Sequence, residues 1–413
     1  MNLKIENGTL KNYTGRDIHS LTIPDTVKEL GSWSLDNHPE LYYVILPETI
    51  SKIGYHVFYE DDNLISIIVD RKNKYFSSFG GASESILCDK QTSALLCCPN
   101  GLESVHIPAS ITNIKETDAF AGCKKLTRIT VAENNRKYTV LNGVLYEHDG
   151  IKLTKLIRCP VDKVSLHIPD SVTEIYPHAF EGCTELEEIS IPDRIKELKG
   201  YTFKHCHKLK SVRFPNHLKT IGDSCFRECH SLEEVILPSG TKTVIAGAFD
   251  NCKTLKKIVL PESVTFTGYI VCGCRSLELL ICHGIEIRKQ ELENLPSIAN
   301  GIIWLIIQKR FDENIYPEAK YRILYQMFIR NPDDEKINDY ISKNFDEIIL
   351  CLIRDNQLET VQNYVKSFRR YLNVQNLDTF IRCAIDNQKY EMQIFLTNLK
   401  YQRNDFKEKD WTL

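Results

Sequence analysis

The sequence predicts an α+β chain: a solenoid of short parallel strands followed by an all-α region. Three observations predict it. Prolines Pro169, Pro192, Pro215, Pro238 and Pro261 stand 23 residues apart, each closing a short apolar run such as Leu166-His167-Ile168 or Val212-Arg213-Phe214. Two further columns keep the same phase: Phe58, Phe180, Phe203, Phe226 and Phe249, then Cys183, Cys206, Cys229 and Cys252. After Cys282 the phase is lost and helix-forming residues take over. A fixed period of this length, with one strand per unit, is the mark of stacked repeats.

Each element of the unit has a physical reason. The alternation in Val212-Arg213-Phe214 is strand period, with Val212 and Phe214 facing a core and Ser211 and Arg213 facing out. The proline donates no ladder bond and ends the strand. An apolar pair such as Leu218 and Ile221 then fills the way back across the convex side, and the Phe packs on its equivalent one turn away. No turn buries its apolar face alone, so neighbours share the stability. Pro24 and Pro47 carry the phase to the first turn, where Leu35 takes the Phe position; Cys272 takes it in the last. Pro47 to Pro108 and Pro108 to Pro169 are each 61 residues, one period of 23 plus 38. Two similar insertions are therefore expected, at about 70–104 and 132–164. The second, Asn134 to Pro160, reads as a hairpin turning at Asp149-Gly150; the first is a blurred copy ending Leu95-Leu96-Cys97-Cys98-Pro99. The repeat domain is expected over 1–284.

Residues 285–413 are expected to form a helical domain, with apolar faces in Asp346–Arg354 and Thr379–Asp386. Asp355-Asn356-Gln357 recurs as Asp386-Asn387-Gln388, an offset of 31. The run Ala384 to Leu396 is similar to the core of an ankyrin unit, which implies helix pairs in a degenerate ankyrin-like stack. The ankyrin T-P-L-H opening is absent, and Gln388 stands where such units carry Gly. The polar residues Arg403 to Leu413 are expected to fray. Ile236, Val259, Leu279 and Ile281 are apolar at outward strand positions, where a C-terminal helix is expected to pack.

The unit Ser171-Val-Thr-Glu-Ile-Tyr-Pro-His-Ala-Phe-Glu-Gly-Cys-Thr-Glu-Leu186, together with the N-N-x-x-Y…N-G-V-L-Y…C-P insertion over 138–160, resembles the BspA-like leucine-rich repeat family. The resemblance covers about 18–284. It implies a leucine-rich repeat solenoid with its parallel strands on the concave face. Members are mostly bacterial, and many are surface proteins that bind host or microbial partners.

Composition narrows the function. The 413 residues hold 52 basic and 55 acidic side chains, net −3, with no basic block that would point to nucleic acid. The first residues lack an apolar signal core, and no run of 18 apolar residues exists. Cytoplasmic location and no membrane insertion are the expectation, with leaderless export left open. The 15 cysteines mostly sit at core positions and read as buried free thiols in a reducing compartment.

No chemistry stands out. Cys225/Cys229, Cys272/Cys274 and His205-Cys206-His207 lack a second half at zinc-finger spacing, so no metal and no cofactor is expected. No G-x-S-x-G, G-x-x-x-x-G-K-[ST] or G-x-G-x-x-G occurs, and the helical cysteines lack the C-x-D pattern of ligase nucleophiles. The expectation is a monomeric, non-enzymatic scaffold binding a protein or glycan partner on its concave face. The expected binding residues are Tyr42, Tyr43, Ile45, Ile68, His106, Arg128, His167, Glu188, Arg213 and Glu234. Two alternatives stay open: an effector or regulatory protein acting through its helical domain, and a surface adhesin. The departures from repetition, meaning the two insertions and the boundary near 284, are where individual function is expected.

Overall fold

Each repeat proline begins a tight turn as well as ending a strand. Its carbonyl accepts the amide of the residue three positions on: Val27 from Pro24 at 3.0 Å, Val172 from Pro169 at 3.0 Å, Leu218 from Pro215 at 3.1 Å. The chain then runs back through a second, two-residue strand, as in Glu197–Leu198, Thr220–Ile221 and Thr243–Val244. Equivalent strands pair in parallel at the repeat spacing, Ser20 with Tyr43 with Ser66 in the first ladder and Glu197 with Thr220 with Thr243 in the second. The result is a β-solenoid of about 12 turns. The computed structural model describes residues 3–15, 18–81, 84–289, 295–311 and 315–409, with the side chains of 295–298, 318 and 403–409 left aside. It divides into two compact units, Met1–Leu279 and Leu280–Leu413.

The two sequence columns form the spine of the first unit. Phe180, Phe203, Phe226 and Phe249 are fully buried, their rings stacked at 4.8, 5.1 and 5.5 Å. Burying each contributes roughly 1.5–3 kcal/mol. The Cys column has a polar reason too. The thiols of Cys206, Cys229 and Cys252 donate to the carbonyls of Phe180, Phe203 and Phe226, the Phe one turn earlier, at 3.1–3.2 Å. All 15 cysteines are free, and all but Cys272, Cys351 and Cys383 are buried.

The last turn departs from the expected phase. Cys272 does not hold the Phe position; it is exposed, and Val271 is buried there, as the Phe249 amide bonding to the Ile270 carbonyl requires. This repeat is one residue short: Thr265 pairs with Thr243, 22 positions earlier.

The insertions are meanders rather than single hairpins. The first has strands Phe76–Gly80, Ser85–Asp89 and Ala94–Cys97; the second has Tyr138–Leu141, Val144–His148 and Leu153–Arg158. The turn at Asp149 is present, its carboxylate accepting from the Ile151 and Lys152 amides at 2.9 and 2.8 Å. A further turn at Asn142-Gly143, both at positive φ, joins the first two strands. An asparagine plugs each insertion into the solenoid. The Asn73 amide donates to the Pro47 and Ile50 carbonyls at 3.0 and 2.9 Å, and its oxygen accepts from the Tyr75 and Phe76 amides at 2.8 Å. Asn135 repeats this with Pro108, Ile111, Lys137 and Tyr138 at 3.0–3.1 Å.

At the N-terminal end, an antiparallel hairpin, Leu3–Glu6 with Thr9–Tyr13, adds to the second ladder through Thr9–Glu29 and Leu10–Leu30. It covers the first turn with Leu10 and Tyr13, both buried. A solenoid end needs such a cover.

The second unit holds six α-helices among the described residues, Leu295–Gln308, Pro317–Arg330, Glu335–Arg354, Leu358–Ser367, Val374–Asp386 and Tyr390–Lys409. Glu335–Arg354 buries Ile337, Ile341, Phe345, Ile348, Ile349 and Leu352, a stripe at helical spacing, and Asp334 caps it by accepting the Lys336 and Ile337 amides. Its end recurs at an offset of 32, not 31. Asn356 and Gln388 both take positive φ, 57° and 56°. Gln357 bonds to the Leu352 carbonyl and Lys389 to that of Ala384, both at 2.8 Å, the closing bond of a Schellman turn. The left-handed backbone at Gln388 explains why glycine suits that position. The tail expected to fray is helical as far as Lys409, and 410–413 lie outside the described residues. Ile236 is 51% exposed, while Val259, Leu279 and Ile281 are half-buried. No helix among the described residues is long and apolar enough to cross a membrane.

Candidate functional site

The ten expected binding residues lie on four hydrogen-bonded ladders. Tyr43 stands between Ser20 and Ser66, and Ile45 between Thr22 and Ile68. Tyr43, Ile45 and Ile68 are half-buried; Tyr42 beside them is 37% exposed, its ring edge-on to His19 at 5.4 Å. Ser66, in register with Tyr43, is nonetheless buried, because Ser85 of the first insertion pairs against it with the hydroxyls 2.7 Å apart. His106 and Arg128 occupy a separate two-stranded ladder, with His106 Nδ1 3.0 Å from the Thr130 hydroxyl. Glu188 and Arg213 share the next, to which His167 adds a bridge at Ser190. Glu234 pairs with Lys257 on the fourth. His106, Arg128, His167, Glu188, Arg213 and Glu234 are exposed. Ion pairs between adjacent turns, Lys208–Glu185, Lys210–Glu187 and Lys256–Glu233, balance the charge on this side, each contributing at most about 1 kcal/mol.

A second constellation was invisible in the sequence. The insertions bring the turn holding Tyr59 against the turn holding Glu181, 122 residues on. Glu181 is fully buried. It accepts the Tyr59 hydroxyl at 2.7 Å and the Gly122 amide at 2.8 Å, and lies 2.7 Å from His178 Nδ1. Lys204 donates to the Tyr59 hydroxyl at 2.9 Å and to Glu60 at 3.0 Å. Burial alone would raise the Glu181 carboxyl, but His178, Lys204 and Tyr59 hold it far below the usual range. Arg158, also fully buried, ties the neighbouring turns by donating to the main-chain carbonyls of His178, Cys123 and Glu181. No sequence signal marks it: the residue directly after the Phe column is Tyr59, Glu181 or Lys204 in these turns, but it is also polar in the later ones, Arg227 and Asp250. Glu181 has no access to solvent, so this group is a lock between turns and not a general base.

The repeats match the model of the BspA type leucine-rich repeat region in six copies, over residues 3–83, 87–143 and 159–278. The chain belongs to the BspA-type leucine-rich repeat family. No curated protein sequence matches it significantly. Solved structures similar to this repeat protein include a leucine-rich cell surface protein of Faecalibacterium prausnitzii, at 23% identity over 67% of this chain and 91% of that one, TM-score 0.40. The pneumococcal vaccine antigen PcpA shows 19% identity over 63% and 67%, TM-score 0.43. A leucine-rich repeat protein of Eubacterium ventriosum shows 18% over 66% and 86%, TM-score 0.41.

In this BspA-type solenoid one lock residue, Tyr59, also lines a recess. A cavity of about 330 Å³ lies between the second turn and the first insertion, lined by apolar Ile53, Phe58, Phe76, Leu87 and Leu96 and by Lys52, His56, Lys115 and Asp118. His56 sits at a left-handed position, φ 50°, and its amide bonds to Asp118 Oδ1 at 2.8 Å. Its ring stacks on Tyr59 at 4.7 Å and meets His178 edge-on at 5.3 Å. Burial, then the His178 charge, lowers its pKa to about 4, against Asp118, the Thr117 carbonyl and Glu181, which raise it.

A histidine lowered in this way is protonated in the unfolded chain before the folded one. Stability is therefore expected to fall as pH drops from about 6.5 to about 4. His56→Asn, with a residue that tolerates the left-handed backbone, should flatten that decline, read as Tm against pH. Equal slopes in both proteins would show that His56 is not the group responsible. For metal chemistry, the one set of three donors within 4.8 Å of one another among the described residues is His205, His207 and Glu228.

Proposed function

We propose that this chain is a non-enzymatic interaction scaffold binding a protein or glycan partner through the outward face of its strand ladders. The repeat scaffold itself is established by the family. The observation that carries the binding reading is the patch at the N-terminal ladder. Ile45 pairs in register with Ile68, next to Tyr43 on the same strand and beside exposed Tyr42, whereas His106, Arg128, His167, Glu188 and Arg213 on the following ladders are polar. Aromatic anchors flanked by polar groups are what binding surfaces use. Arg213, exposed on a later ladder, would add a charged contact to a long partner.

The test compares pull-downs by the wild type and a Tyr43→Ala/Arg213→Glu variant. Loss of a central aromatic costs about 2 kcal/mol or more, some 30-fold in affinity, so the variant should lose partners the wild type retains. Retention of an identical partner set by both proteins would remove this reading.

A further inference from the structure

We propose that His205, His207 and Glu228 form a binding site for a divalent transition ion of the zinc class. Lys204-His205-Cys206-His207 and Arg227-Glu228-Cys229-His230 are the same segment in consecutive turns. In each, the cysteine turns inward, fully buried with its thiol on a Phe carbonyl, and the residues on either side are partly exposed. Backbone bonds from His205 to the Arg227 carbonyl, at 2.9 Å, and from Glu228 to that of Asp250, at 2.8 Å, fix the register. One ligand atom from each of His205, His207 and Glu228 then lies within 4.8 Å of the others.

Two observations point to a ligand. The Nε2 atoms of His205 and His207 are shut off from solvent without a hydrogen-bond partner, while His205 Nδ1 lies 3.2 Å from Glu228. Each such nitrogen is costly to bury unless something binds it. The backbone is the second. His205 and Glu228 have φ of 62° and 63°, in a left-handed column that other turns fill with Asn37, Gly122, Gly182, Asn251 and Gly273. Holding a larger side chain there costs on the order of 1 kcal/mol. The other exception, Glu60, uses its carboxylate on Lys204, which also balances the cation nearest His205.

Imidazole and carboxylate donors suit zinc, cobalt and nickel. Bonds of about 2.0–2.1 Å place tetrahedral ligand atoms about 3.3 Å apart, so closing the gaps takes at most about 1.5 Å of side-chain movement. Three protein donors leave a fourth position open. His230, stacked on His207 at 4.7 Å, is the nearest further imidazole.

The test is titration of the full chain with cobalt chloride, followed by visible absorption and by zinc competition. One bound equivalent is expected, and zinc should raise the Tm. His207→Thr and Glu228→Asn should each weaken binding at least tenfold and abolish the zinc-dependent rise. Thr184 and Asn251 hold the equivalent positions one turn away, so both variants keep residues the repeat accepts; circular dichroism checks this. A Cys272→Ser/Cys351→Ser/Cys383→Ser variant should bind as the wild type does. Absence of cobalt binding, unchanged affinity in both ligand variants, or loss of binding in the cysteine variant would each overturn the site.

Discussion

Glu181→Ala is expected to destabilise the solenoid by about 3–5 kcal/mol, a fall in Tm of roughly 10 °C for a unit of this size. The carboxylate is fully enclosed and charged, and it satisfies the Tyr59 hydroxyl, the Gly122 amide and His178 together. Removing it strands those donors, along with Lys204, which is only 5% exposed and keeps just Glu60 as a counter-charge. Breaking one side of a buried charged group costs more than the pair contributes, because the desolvated partner stays behind. It follows that Glu181→Leu with Lys204→Met should recover much of the loss. Thermal unfolding of the two variants gives the answer. If Glu181→Ala melts with the wild type, the lock is not a stabilising element.

The same cluster shows where sequence reading ends. Phe180, Phe203 and Phe226 were legible because each turn meets its neighbour at a fixed offset, so a column in the sequence is a stack in space. Tyr59 and Glu181 stand in the same column, directly after Phe58 and Phe180, but 122 residues apart, because two insertions of 38 residues lie between their turns. Their meeting depends on how far the insertions displace the stack, which no local pattern encodes. Cys272 misses the Phe position because the last repeat is one residue short, and Ser66, in register with Tyr43, is buried because Ser85 covers it from the insertion. The offset of 31 in the helical region followed the letters Asp-Asn-Gln, whereas backbone geometry aligns Asn356 with Gln388. Of the candidate sites, the outward strand residues were readable from alternation. The sequence shows His205 and His207 but not their partner, because Glu228 comes from the next turn rather than from a second motif half.

Asn135→Ala is expected to cost about 2–4 kcal/mol, with Asn73→Ala close behind. Each asparagine makes four bonds to main-chain groups, one of which, the proline carbonyl, also accepts the amide three residues on, Ile50 at 3.4 Å and Ile111 at 3.1 Å. Its amide donates to the carbonyls of the repeat proline and of the residue three positions on, and its oxygen accepts two amides of the insertion's first strand. Alanine removes all four bonds and leaves the proline carbonyl with its turn bond alone to the amide three residues on. Aspartate should be no better, because a carboxylate still accepts the two amides but faces two carbonyl oxygens with no hydrogen to offer. The two plugs share no partner, so the double variant should show the sum of the single costs. Hydrogen exchange should quicken at Lys137 and Tyr138 in Asn135→Ala and at Tyr75 and Phe76 in Asn73→Ala. A Tm within 2 °C of the wild type in either variant would mean the insertion is held by its apolar packing alone. Phe76 and Tyr138, the aromatic three positions after each asparagine, are buried at 5% and 2%, yet apolar burial is non-directional and cannot fix the register of an entering strand. The asparagine can, since its four bonds are made in one position only, and this accounts for the same residue in the same role at both places where the repeat is interrupted.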